Sequence, residues 1–270
     1  LNEAAILAAR EGREEITMAD LEEASEKVSI GPERKSKVVV EKERRISAYH
    51  EAGHAVVTHL LPNTNPVHKV TIVPRGRAGG FTMSLPEEEK GYYFKSEFLS
   101  QIKYALGGRA AEQIVFNDIT TGASGDIQSV TNIVHGMVKV YGMSDKFGPI
   151  LLDGTREGDL FQQKYYSEET GKDIDEEILS IVNTQYQETL KLLEDNFDKL
   201  DIVAKALLEK ETLNREEFEA LMNGKTLAEL AATKKEAEEI KANEIIEEEK
   251  TEDIIEEIKE NKEFDKENQE

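Results

Sequence analysis

Cysteine and tryptophan are both absent from these 270 residues, proline is scarce at six, and aromatic residues make up 6% of the chain. Without cysteine there is no disulfide, no thiolate metal site and no cysteine nucleophile, which fits a reducing compartment and leaves any catalysis to other groups. Positive charge is also short: 34 Lys and Arg stand against 56 Asp and Glu, a formal net charge of −22. Such a surface repels phosphate backbones and anionic headgroups, which excludes nucleic acid as a partner and basic-patch attachment to membranes. No apolar run approaches the roughly 18 residues of a membrane span, and no basic-then-apolar leader is present, so the chain as given reads as soluble. It opens at Leu1 within a helical pattern and reads as a piece of something longer.

What is present is mostly helical periodicity. Residues 1–32 carry short helices, one starting at Thr17 with Asp20 three positions on, and Gly31-Pro32 ends them. A charge-dense stretch, 33–45, reads as a linker or extended arm. Helical spacing from Glu43 to Leu61 is closed by Pro62. Two short strands follow, one from Val67 and one over Phe81, Met83 and Leu85. Ser96 is expected to cap a long helix to Phe116, and a turn-rich loop, 120–125, leads into a helix from Asp126 to Tyr141. Residues 173–223 read as helical throughout, with Asn214 and Glu217 spaced as a capping box. The body, 46–225, is thus mainly α with one small β-sheet. The last stretch, 226–270, holds 17 acids against 7 bases and reads as an acidic tail, partly helical or disordered.

The sharpest motif is His50-Glu51-Ala52-Gly53-His54 inside the first long helix. Four residues advance a helix by about 400°, so both histidines sit on one face and can reach one metal ion at about 2.0–2.1 Å from each nitrogen. Glu51 lies about 100° round, close enough to serve a water without displacing the metal. Zinc with an open coordination position lowers the pKa of water to about 7, and a neighbouring carboxylate can take its proton and pass it to a leaving amine. The apolar flank of Ile46, Ala55, Val56 and Val57 favours this over two idle histidines, whose burial would be costly.

A third ligand is needed. The extended H-E-x-x-H-x-x-G-x-x-H form would place glycine at 57 and histidine at 60, where Val57 and Leu60 stand. His59 falls on the opposite helix face, and His68 and His135 are weaker candidates. Spacing leaves two carboxylates open: Glu112 in Leu106-Gly107-Gly108-Arg109-Ala110-Ala111-Glu112, and Asp126 after Thr121-Gly122-Ala123-Ser124-Gly125. Each also has an ordinary explanation, the first as a helix-borne acid paired with a base, the second as an acid at a helix N-terminus.

Taken in order, Ala48-Tyr49-His50-Glu51-Ala52-Gly53-His54-Ala55, the Leu106–Glu112 segment, Thr121-Gly122-Ala123-Ser124-Gly125-Asp126-Ile127 and Gly142-Met143-Ser144 resemble the FtsH-type ATP-dependent zinc metalloproteases, membrane-anchored AAA+ proteases. The resemblance runs from Leu1 to about Gly224. It implies one Zn²⁺ per chain held by His50, His54 and Asp126, with Glu51 catalytic and Glu112 a supporting carboxylate. It also implies that 1–32 is the end of an AAA+ lid, and that ATP belongs to a nucleotide module and the membrane helices to segments outside this sequence. The expected substrates are unfolded or membrane-extracted proteins in cellular quality control. The expected assembly is a homo-oligomer, a hexamer, at the cell membrane with this domain on the cytoplasmic side. The family usually has Asn before the ligand Asp, where Gly125 stands, a change expected to loosen the backbone there. Gly224-Lys225-Thr226 is no phosphate loop, since Glu219 occupies the first glycine position.

Phe81, Thr82 and Met83 are expected to form an edge strand able to take substrate backbone as an added strand. Two rival functions are a stand-alone aminopeptidase-like zinc enzyme and a non-catalytic helical scaffold for oligomers.

Overall fold

A computed structural model describes residues 1–34, 39–76, 78–86, 90–152, 166–233 and 235. Part of the expected linker, 35–38, and most of the expected acidic tail, 236–270, lie outside the described residues. The chain divides into two compact units, Leu1–Met222 and Asn223–Glu270.

The first unit is mainly helical. Helices α1 (Asn2–Arg10) and α2 (Met18–Ser29) come first, followed by α3 (Glu41–Leu60) and strands β1 (Val67–Thr71) and β2 (Phe81–Ser84). Then come α4 (Lys95–Phe116), α5 (Ser124–His135), α6 (Glu168–Glu194), α7 (Phe197–Lys210), β3 (Thr212–Asn214) and α8 (Arg215–Met222). A 3₁₀ turn, Thr121–Ala123, leads into α5, and one π-helical stretch, Gly136–Val140, continues it. Among the described residues no helix is long and apolar enough to cross a membrane.

Helix α3 is the axis of the body. Every residue from Ala48 to Thr58 is buried, because α4, α7 and the sheet surround it. A helix covered on all sides carries apolar or small residues all round, and any polar group inside it must find a partner. The closest approach is between two glycines: a Cβ on Gly53 would stand 2.4 Å from Gly107 O, so α3 and α4 meet backbone to backbone. A second apolar cluster joins Ile102 and Leu106 of α4 to Val130 and Val134 of α5 and Ile174 and Ile178 of α6. Helix α5 is thereby fixed against α4.

The sheet has the order β2-β1-β3, all antiparallel, which leaves β2 at an edge. Pairing steps from Val67↔Ser84 to Lys69↔Met83, a bulge that breaks strict alternation, and Val67, Val70 and Thr71 all end up buried. Helix α2 docks on β1 through charge: Glu26, almost fully buried, meets Lys69 Nζ at 2.6 Å and Arg75 Nη2 at 3.0 Å. At the start of α2, Thr17 and Asp20 form the expected capping box, and Arg13 clamps the same carboxylate.

Local expectations differ from the fold after residue 194 and at the start of α4. The stretch 173–223 is not one helical run: it breaks at 195–196, and Glu211, at φ 63°, ends α7 in the left-handed region before β3 pairs with β1. The capping box at Asn214 and Glu217 does start α8, with Glu217 N–H donating to Asn214 Oδ1 at 3.0 Å. Ser96 is not the cap of α4. That helix begins at Lys95, with Phe94 in the cap position and Glu97 accepting the Phe94 N–H at 2.7 Å.

In the second unit, residues 227–233 are helical, and Thr226 opens them through reciprocal bonds with Glu229. The threonine that imitates a phosphate loop in the sequence is therefore a helix cap.

Candidate metal centre

His50 and His54 lie one turn apart on α3, both buried, with their Nε2 atoms 3.1 Å from each other. Asp126, in the first turn of α5, brings Oδ2 to 3.4 Å from His50 Nε2 and 3.5 Å from His54 Nε2. The three donors form a nearly equilateral triangle with edges close to the roughly 3.3 Å that tetrahedral ligands with zinc-like bond lengths require. Among the described residues this is the group of histidine and acid side chains whose geometry could hold an ion.

The tautomers are set from behind. His54 Nδ1 meets Tyr104 O at 2.8 Å; a carbonyl only accepts, so Nδ1 carries the hydrogen and Nε2 keeps its lone pair. His50 Nδ1 donates in the same way to Glu112 Oε1 at 2.7 Å. Glu112 is fully buried on α4 and also accepts Thr120 N–H at 2.6 Å and Thr120 Oγ1–H at 3.0 Å. The two carboxylates that spacing left level thus stand on opposite sides of the His50 ring. Glu112 meets the far nitrogen, and Asp126 faces the one that points into the site. Buried carboxylates behind histidines are the usual means of fixing ring orientation at metal sites.

Space for an ion is provided by Gly108. A Cβ there would stand 2.5 Å from His50 Nε2 and 2.6 Å from His54 Nε2. Neither Gly108 nor the Tyr104 carbonyl is evident from motif spacing alone. The available signal is the Gly107-Gly108 pair inside a helix, since each glycine there costs about 1 kcal/mol relative to alanine and calls for a packing reason.

Charges in the site interact strongly. Burial pulls the His50 pKa down, but hydrogen bonds to Asp126 and Glu112 and the charge of Glu51 outweigh it and raise the value to about 10 in the metal-free protein. Burial raises Asp126, yet the two histidines hold it well below the ordinary carboxylate range, and the α5 N-terminus favours the same charge. For Glu51 burial wins: its carboxyl is pushed up, against the opposing pull of His54, His50 and Thr82. Thr82 Oγ1 lies 2.9 Å from Glu51 Oε2 and 3.1 Å from Glu51 O, so one hydroxyl of β2 holds this side chain in place.

Gly125 stands inside α5 without positive φ and with open space where a Cβ would be. Its carbonyl accepts the Ser129 hydroxyl at 3.0 Å, so the backbone beside Asp126 is ordinary helix. The remaining histidines lie elsewhere. His59 stacks edge-on against Phe218, and His68 pairs with Glu22 on α2.

Residues 37–221, the greater part of the chain, match the profile of peptidase family M41. The chain belongs to that family. Among curated relatives, an ATP-dependent zinc metalloprotease FtsH 1 of Thermoanaerobacter sp. (strain X514) is 54% identical over 233 residues, covering 84% of this chain and 38% of its own length. The ATP-dependent zinc metalloprotease FtsH of Veillonella parvula is 54% identical over 219 residues, 79% of this chain and 34% of its own. That of Caldicellulosiruptor bescii is 49% identical over 227 residues, 82% of this chain and 37% of its own. The M41 chain thus spans little more than a third of the length of these relatives.

Proposed function

We propose that this M41 chain is a zinc-dependent endopeptidase domain that binds one ion through His50, His54 and Asp126 and uses Glu51 as its general base and acid. The observation that carries the reading is the triangle of two imidazole Nε2 atoms and one carboxylate oxygen, 3.1 to 3.5 Å on a side, with a buried carboxyl one residue along α3. The donor set of two nitrogens and one oxygen fits zinc, and the gap over Gly108 leaves it room. When bound, zinc would supply Lewis-acid polarisation of a peptide carbonyl and a lowered pKa for water.

The protein's own groups do the rest. Glu51 removes a proton from the attacking water at a carboxylate oxygen and returns it to the departing amine nitrogen, so that one water is consumed for each amide bond broken. Burial raises its proton affinity, which favours uptake of the proton from water. Thr82 keeps the Glu51 carboxyl from rotating away, and Glu112 and the Tyr104 carbonyl hold the two rings. Phe81, Thr82 and Met83, on the outer strand of the sheet, take the substrate as an extended strand.

The same reading divides the chain into AAA+ lid helices at 1–32, a linker at 33–45 whose last residues, from Glu41, already belong to α3, the peptidase domain at 46–225 and an acidic tail at 226–270. The relatives' name carries both zinc and ATP dependence. On that basis the 270 residues act within a longer protein whose AAA+ module threads unfolded or membrane-extracted proteins to this site. That protein assembles as a hexamer at the cell membrane, with the peptidase on the cytoplasmic side.

The deciding experiment compares the wild type with Glu51→Gln. Both are expected to bind one zinc per chain, and only the wild type is expected to digest an unfolded protein. Robust proteolysis by the variant would overturn the role of Glu51. A wild type that binds no zinc would return the scaffold reading, and cleavage confined to short free-ended peptides would return the aminopeptidase reading.

A further inference from the structure

Tyr104 of α4 touches three parts of the site. Its carbonyl fixes His54, its ring lies against the His54 imidazole with centroids 5.2 Å apart, and its hydroxyl donates to Thr82 O at 3.3 Å. The third contact is the one that packing does not explain. β2 is an edge strand, with β1 on one side and, among the described residues, no strand on the other. In the register Thr82 stands opposite Val70, and in an antiparallel pair alternate residues turn both backbone groups away from the neighbouring strand. A carbonyl met by a side chain from α4 is one of these outward groups, the kind an incoming strand would use. The Tyr104 hydroxyl therefore sits on an acceptor that the proposed substrate needs.

The contact is built to be broken. At 3.3 Å it is longer than the usual span of about 2.5–3.0 Å for a hydroxyl donating to oxygen. Thr82 and Tyr104 line the same 740 Å³ cleft, so a peptide has room to enter between them. An extended peptide turns successive carbonyls to opposite edges. If one of its residues pairs with Thr82, the carbonyl of the next faces away from β2 and towards α4, the side from which the hydroxyl comes. Thr82 also holds Glu51 through its side chain, so this exchange takes place directly beside the base.

Resting on the endopeptidase reading, we infer that Tyr104 is a further catalytic residue whose hydroxyl exchanges partners: it donates to Thr82 O in the free protein, is displaced when an extended protein backbone pairs with β2, and then donates to a carbonyl of that backbone. No bond to carbon or hydrogen is made or broken by the tyrosine itself. It contributes a hydrogen bond that strengthens as negative charge grows on the carbonyl oxygen.

Tyr104→Phe tests this cleanly, because it keeps the ring against His54 and the backbone oxygen on Nδ1 while deleting only the hydroxyl. In the zinc-loaded protein, kcat on an unfolded substrate is expected to fall about 100-fold with KM nearly unchanged and zinc content and Tm preserved. A merely structural role would instead lower Tm or release zinc. An unchanged kcat would overturn the inference. The second arm uses metal-free wild type carrying fluorotyrosine, with the Tyr104 signal assigned by its absence in Tyr104→Phe. Titration with an unstructured peptide, followed in parallel by fluorescence anisotropy, is expected to shift that signal as the peptide binds. Failure of the peptide to bind, or binding that leaves the signal in place, would overturn the exchange. If zinc-loaded wild type cleaves nothing, the endopeptidase reading fails, while the metal-free titration still reports on the exchange.

Discussion

Gly108 faces the two Nε2 atoms with nothing but hydrogen on its Cα, and an added methyl would fill the position an ion must take. Gly108→Ala is therefore expected to favour the helix itself yet abolish zinc binding, measured by dialysis against a zinc indicator; wild-type stoichiometry in a folded variant would contradict the assignment. Glu112 acts on the other side of the same ring. Removing it with Glu112→Ala is expected to weaken zinc by about 10- to 100-fold, because His50 loses the partner that holds its tautomer and angle. Glu112→Gln keeps an acceptor without the charge and is expected to lose less, so the order of the two affinities tests whether orientation or charge dominates. At this scale the pentad was legible because both histidines sit in one helix, where four residues return to the same face. The choice between Glu112 and Asp126 was not, since it depends on how α4 and α5 stand around α3. The Tyr104 contact with His54 and the bond from Thr82 to Glu51 were hidden for the same reason: the first pair is 50 residues apart and the second 31, and only the fold brings each together.

Helices α3 and α4 approach so closely because a glycine stands on each side of the contact. A Cβ at position 53 would stand 2.4 Å from Gly107 O and 2.7 Å from the Ala111 Cβ, so the helices would have to separate. Gly53→Ala is expected to destabilise the fold by about 1–3 kcal/mol, read as a lower urea midpoint at unchanged m, and to widen the site at the same time. The edge strand offers a complementary test. Thr82→Pro deletes the outward N–H of β2, and is expected to weaken peptide cleavage while zinc remains bound; unchanged kinetics in a folded variant would remove β2 from substrate capture. Elements with long periodicity, such as α3, α4 and α7, were legible from spacing. β3 was not, because three residues show no period and the helical patterns on either side absorb them. What creates it is the left-handed turn at Glu211, which swings Leu213 into full burial beside Val70. The bulge at Val67 is likewise a property of the paired strands rather than of either one alone.

An ion held by His50, His54 and Asp126 would tie α3 to α5 and so couple metal to the stability of the whole first unit, by about 4 kcal/mol at a free zinc concentration 1,000 times Kd. The pH dependence follows from His50. Without metal its pKa is raised from 6.5 to about 10, despite burial, by Asp126, Glu112 and Glu51. A raised folded-state pKa means that this group's stabilisation is fully present below about 6.5, the unfolded value, and is lost as pH rises towards 10. Zinc binding runs the other way: Nε2 must give up its proton to coordinate, so each ion taken up near neutrality releases a proton, and affinity climbs with pH. The metal-free and zinc-loaded proteins are therefore expected to diverge, with the Tm difference between them small at pH 5.5, larger at 7 and larger still at 8.5. Calorimetric titration at pH 7 in buffers of different ionisation enthalpy should count the released proton directly. A Tm difference independent of pH, together with no proton release, would show that His50 does not give up a proton to the ion.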